Sequence, residues 1–182
     1  MATGLRLRVG LAAFGCFQAS IPLANWMVLH VGTMCVPQGP CLVPVAPGLL
    51  APSGVLTVGA ALVLRDVVQR CLGLGWGLLA VAAGTFLSVL VAPGPLVLAS
   101  GAAFALSEFA DFAVYTPLQR RQLTAAVVAS SLMGLIVDSV VFLALAFGSL
   151  EFIGGQIVGK LWAVLIAVPL MRLLRRVAPT PA

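Results

Sequence analysis

Apolar residues run along this chain in long uninterrupted stretches, with neither the strict alternation of half-buried strands nor the one-sided stripe of soluble amphipathic helices. The stretches fall at residues 8–30, 52–70, 74–92, 96–116, 123–147 and 152–172. A helix needs about 17 to 25 apolar residues to cross a hydrocarbon core. The pattern therefore predicts an all-α integral membrane protein with six transmembrane helices, forming a single transmembrane domain over 1–182. Ala92, Pro93, Gly94 and Pro95 part the third stretch from the fourth and suit a tight hairpin turn. The first stretch is long enough to span and lacks a small-x-small exit site, so it reads as a retained helix rather than a cleaved signal.

Arg and Lys orient the expected bundle. Arg6 and Arg8 precede helix one, Arg70 closes helix two, Arg120 and Arg121 follow helix four, and Arg172, Arg175 and Arg176 follow helix six. All four groups fall on one side of a six-span topology, and the other side carries none. The positive-inside bias predicts that both termini are cytoplasmic.

One connection is long. Between Val31 and Ser53 the chain carries Pro37, Pro40, Pro44, Pro47 and Pro52, yet stays apolar from Leu42 to Leu50. Such a segment cannot be helical throughout, and an irregular outer loop is expected. It reads either as a re-entrant or lid-like segment over an outer-facing site or as a hydrophobic loop lying on the bundle. Cys35 and Cys41, with five residues between them, read either as a disulfide or as two free thiols.

Composition strengthens the membrane reading. The chain has 182 residues, 62% hydrophobic and only 8% charged, with a mean hydropathy of +1.16. A soluble domain carries about a quarter charged residues, so most of this surface must face lipid. The net charge of +5 comes from small groups between spans, not from one basic face, and argues against nucleic acid. The 19 glycines read as helix-contact residues. Small-residue faces at Gly15 and Ala19, and at Ser130 and Gly134, suit docking of a partner or a second copy.

Against that background the polar residues inside the spans stand out. An ionised side chain near the bilayer centre costs about 2.5 to 3.5 kcal/mol on insertion scales, so each needs a partner, a wet cavity or a task. Asp66 lies beside Arg65 in helix two, Glu108 and Asp111 in helix four, Asp138 in helix five and Lys160 in helix six. Glu108, Asp111 and Tyr115 share one helical face, as do Gln156 and Lys160. Counting rise along the spans places Asn25, Gln156 and Lys160 in the outer half, Glu108 and Asp138 near the middle, and Asp66 and Asp111 in the inner half. Pro22 should bend helix one just before Asn25 and Trp26.

These groups read either as interhelical ion pairs, such as Lys160 with Asp138 or Glu108 and Arg65 or Arg70 with Asp66 or Asp111, or as the lining of a central polar pocket. Acids outnumber deep bases, which favours the pocket. His30 reads as an interfacial residue, and no clustering of metal-ligating residues predicts a metal or cofactor. There is no His-Glu-x-x-His, and the Ser100 surroundings lack a nucleophile motif, so an enzyme is not expected.

The motifs together resemble a known family. Ala51-Pro52-Ser53-Gly54-Val55-Leu56 leads into Leu64-Arg65-Asp66-Val67-Val68-Gln69. Further on come Ser107-Glu108-Phe109-Ala110-Asp111 with Tyr115, Gly134-Leu135-Ile136-Val137-Asp138, and Gly155-Gln156 with Lys160. The chain resembles the VUT family of queuosine-precursor transporters. The resemblance implies a bacterial inner-membrane importer of 7-cyano- or 7-aminomethyl-7-deazaguanine, with a fold like the substrate-binding components of energy-coupling-factor vitamin transporters. It also implies coupling-factor subunits as candidate partners. A deazaguanine suits Asn25, Glu108, Asp138, Gln156 and Lys160 as polar contacts, with Trp26, Phe109 or Trp162 stacking on its ring. Asp66, Asp111 and Tyr115 are then candidates for coupling or gating.

Overall fold

The computed structural model describes residues 2–37, 39–91, 97–162, 165 and 169. Five long helices run through them: α1 Ala2–His30, α2 Val55–Leu72, α3 Leu74–Val91, α4 Val97–Leu118 and α5 Leu123–Phe147. A sixth helical stretch, α6, covers 153–162. The remainder of the expected sixth span, its trailing arginines and the Ala92–Pro95 turn lie outside the described residues.

Four of these helices are long and apolar enough to cross a membrane: residues 4–30, 74–91, 97–118 and 123–147. α2 is different. Its 18 residues include Arg65, Asp66 and Arg70, and twelve of them are buried, so it is sheltered by its neighbours instead of facing lipid. α1 packs along α2, α4 along α5, and α3 touches α1, α2 and α4. Polar groups in α2 thus sit in a protein interior, where the cost of placing them depends on partners rather than lipid.

The helix ends are set locally. α2 stops at Gly73, whose positive φ of 97° turns the chain sharply into α3, and whose N–H bonds back to Gln69 O. α5 ends on Gly148 in the left-handed region, its N–H returning to Ala144 O. Elsewhere glycines let helices close up: a Cβ on Gly84 would strike Ile21 and Phe104, and one on Gly134 would press on Leu62 and Asp111. The Ser130–Gly134 face is therefore consumed inside the chain and is not a docking surface. Gly15 and Ala19 remain exposed.

The Pro-rich connection differs from the irregular loop expected of it. It forms a three-stranded antiparallel meander, β1 Met34–Cys35, β2 Cys41–Ala46 and β3 Leu49–Pro52. The prolines fit because of where pairing stops. β1 reaches only Cys41 and Leu42 of β2, so Pro44 withholds its missing N–H from no partner on that side, and a bulge follows it on the β3 side. Gly48, at φ 73°, closes the β2–β3 turn. α2 accordingly starts at Val55, three residues later than the apolar pattern suggests, because Leu49–Pro52 is spent on β3.

Cys35 and Cys41 lie opposite each other in this register and are joined by a disulfide. The meander caps one end of the bundle. Ser53 Oγ donates to Met27 O at 2.6 Å, Trp162 Nε1 donates to Val45 O at 3.1 Å, and Gly155 lies directly on Leu50 O and Ala51.

Candidate functional site

Beneath the meander the helices part around a cleft enclosing about 780 Å³, open mouth included. Every helical element contributes: Asn25 from α1, Val58 from α2, Ser88 from α3, Glu108 from α4, Asp138 from α5 and Gln156 from α6. Pro52 and Gly54, where β3 gives way to α2, line it as well. Gly54 is needed at that corner, since a Cβ there would meet Ala24 O and Val28.

The walls are apolar with a few placed polar groups. Phe104 and Phe142 supply the aromatic faces. Trp26, Phe109 and Trp162 do not: each is about half exposed on the outside of the bundle, and Trp26 stacks on His30. Their sequence positions gave no sign of this, because a helix that faces lipid on one side is apolar all round.

Ser20 and Ser107 line the cleft with spent protons. Ser20 Oγ donates to Phe17 O at 2.7 Å and Ser107 Oγ to Phe104 O at 3.0 Å, which leaves their oxygen lone pairs as acceptors. Asn25 Nδ2 donates to Ile21 O at 3.0 Å, and Ser100 Oγ donates to Asn25 Oδ1. The second Asn25 N–H, the Gln156 amide and the Ser88 hydroxyl are the donor groups of the lining. Pro22 sits between Ile21 and Asn25 in α1, and the cleft opens along that turn.

Two carboxylates reach the cleft, and each has a base behind it. Lys160 is fully buried and does not line the cleft itself; its Nζ meets Asp138 Oδ2 at 2.5 Å and Ser139 Oγ at 2.8 Å. Arg65 is likewise fully buried, and its Nε donates to Glu108 Oε2 at 3.0 Å. Lys160, expected as a substrate contact, lies behind Asp138 instead.

Arg65 does more than serve Glu108. Nη1 lies 2.9 Å from Asp66 Oδ1 and donates to Gln69 Oε1 at 3.2 Å, while Nη2 donates to Asp111. The guanidinium also lies against the Phe112 and Tyr115 rings, with centroids 5.2 and 5.7 Å away. Gln69 passes the network on to Thr116 at 3.1 Å. Asp66, Asp111 and Tyr115 therefore lie outside the cleft, joined to it through Arg65. A planar fork with five donors can serve three carboxylates and the Gln69 oxygen at once, one acceptor more than the three N–H groups of an ammonium can match. Sequence reading paired Arg65 with one acid and missed its junction role. The available signal was the Arg65-Asp66 pair midway along an expected span, with Gln69 four residues beyond Arg65.

Among the described residues no group of metal-ligating side chains is assembled. The model of a family described as "Putative vitamin uptake transporter" matches residues 74–174. No curated protein and no solved structure matches the chain.

Proposed function

The chain belongs to the vitamin uptake transporter family, and from that premise we propose that it imports a purine-like queuosine precursor, 7-cyano- or 7-aminomethyl-7-deazaguanine, through the cleft beneath the meander. The observation that carries this reading is the pairing of two carboxylates, Glu108 and Asp138, with two amides, Asn25 and Gln156, inside apolar walls. A deazaguanine presents a 2-amino group and a ring N–H beside a carbonyl. A carboxylate accepts from the first two together, and an amide donates to the third. Phe104 and Phe142 would flank the flat ring.

The arginine-bearing ends are assigned to the cytoplasm in this proposal, with the meander on the outer face. The meander and its disulfide then belong to the outside, where a disulfide persists. Arg6 supports a common basic end, since its side chain donates to Cys71 O and Arg70 O at 3.0 and 2.9 Å.

The test is uptake of radiolabelled 7-cyano-7-deazaguanine by cells that lack their own importer and cannot make the precursor, with queuosine in tRNA as the second readout. Uptake and tRNA modification that depend on this chain are expected. Properly inserted protein that restores neither would sink the proposal.

A further inference from the structure

The acids around Arg65 cannot all be ionised in the dry interior. At this junction Asp66, Glu108 and Asp111 are buried on the single guanidinium of Arg65, three acids to one base, so among the described residues negative charge is in surplus there. The surplus falls at a definite place. Asp66 and Asp111 each meet a terminal nitrogen of the same Arg65 guanidinium, and the other oxygen of each, Asp66 Oδ2 and Asp111 Oδ2, is fully buried and accepts no hydrogen bond. Two carboxylates crowded on one guanidinium, each with a buried oxygen left over, are unfavourable unless a proton is shared.

The surroundings leave room for a proton and little else. Gly134 presents no Cβ to Asp111, and one added there would stand 3.2 Å from Asp111 Oδ2. Ser130 Oγ is turned to Val127 O at 3.4 Å. Among the described residues the pair is faced from α2 by Arg65, from α4 by Glu108 and Tyr115 and from α5 by Ser130, with Arg70 beside Tyr115. Asp138 faces Glu108, and Lys160 is bonded to Asp138. α3 has no titratable side chain, and those of α1 are Arg6, Arg8, Cys16 and His30, with Arg6 at the Arg70 end.

We propose that Asp66 and Asp111 form a proton-binding site, and that Arg65 ties its occupancy to ligand binding at Glu108. This rests on the transport reading for the identity of the ligand but not for the proton. With the proton in place, the pair carries one charge fewer and the guanidinium holds Glu108 ionised and aimed at the cleft. Without it, two full charges draw the guanidinium away, and Glu108 loses its counter-charge and its orientation. Proton and ligand therefore bind cooperatively, and by reciprocity each strengthens the other.

The experiment uses the full chain in lipid nanodiscs. Infrared spectroscopy at neutral pH should show a protonated-carboxyl C=O band that shifts on deuteration, is lost in both Asp66→Asn and Asp111→Asn, and persists in Glu108→Gln. The affinity for 7-cyano-7-deazaguanine should fall about ten-fold per pH unit once the pair deprotonates, and should be flat with pH in Asp111→Asn. No carboxyl band in the wild type, or a band lost only in Glu108→Gln, overturns the site. Equal pH dependence in wild type and Asp111→Asn overturns the link to the ligand. A band that behaves as expected in protein that binds no deazaguanine supports the proton site and overturns the transport reading alone.

Discussion

Arg65 Nε and Glu108 Oε2 meet at 3.0 Å behind the cleft, so the carboxylate that lines the cleft is held by a residue that does not reach it. Glu108 then offers its remaining oxygen with the orientation already set. Replacing Glu108 by Gln keeps the shape and removes the charge. A hydrogen bond to a charged group contributes about 1.5 to 3 kcal/mol, so E108Q should weaken ligand binding about ten- to a hundred-fold while membrane insertion is unchanged. Calorimetry on purified protein alongside an insertion assay checks both halves, and normal affinity in E108Q would remove Glu108 from the site.

Lys160 and Asp138 form the second supported acid. Lys160 is fully buried, and removing one partner of a buried pair costs about 3 to 5 kcal/mol. K160M alone should therefore lower thermal stability sharply. The double variant K160M/D138N removes both charges and should recover most of that loss without recovering uptake, since the acceptor in the cleft is gone. Recovery of transport in the double variant would show that Asp138 serves only to neutralise Lys160.

The meander makes a prediction about its disulfide. Cys35–Cys41 closes a short loop, and closing one of this size restrains the unfolded chain by about 2 kcal/mol. C35S/C41S should lower the melting temperature and increase protease cleavage between β1 and β2, with the helices still protected. Melting curves and limited proteolysis with and without reductant separate this from a global effect. An unchanged cleavage pattern would mean that pairing with β2 and the Trp162 bond suffice to hold the segment.

Much of the bundle was legible in the apolar pattern because a membrane-spanning helix needs length and little else. Four of the expected spans are long apolar helices, and the interruptions fall where Gly73 and Gly148 turn the chain. The meander was not legible. Its prolines argued against a helix, but strand pairing depends on which residues lie opposite one another, and no local signal shows that Pro44 lies beyond the reach of β1. The site divided in the same way. Spacing along single helices placed Glu108 with Asp111 and Gln156 with Lys160, while contacts between helices decided that Asn25, Glu108, Asp138 and Gln156 share a cleft. The same contacts put Lys160 and Asp111 behind it. Aromatic assignment failed because lipid-facing and cleft-facing Phe and Trp obey the same hydropathy.

Gly155 carries the most local prediction. It lies between Gln156, which lines the cleft, and β3, and its Cα hydrogens face Leu50 O so closely that any Cβ would overlap that carbonyl and press on Ala51. Neither neighbour can yield cheaply, because Leu50 belongs to the β2–β3 ladder and Ala51 is fully buried. G155A should therefore push α6 off the sheet, displacing Gln156 and the Trp162–Val45 bond together, whereas G154A meets only Leu49 at 3.8 Å and should be tolerated. Overpacking of this kind costs about 1 to 3 kcal/mol. Thermal stability and ligand affinity of the two variants, measured side by side, check the expectation: both fall in G155A and neither in G154A. Equal behaviour of the pair would mean that α6 is free to shift along the meander without disturbing the cleft.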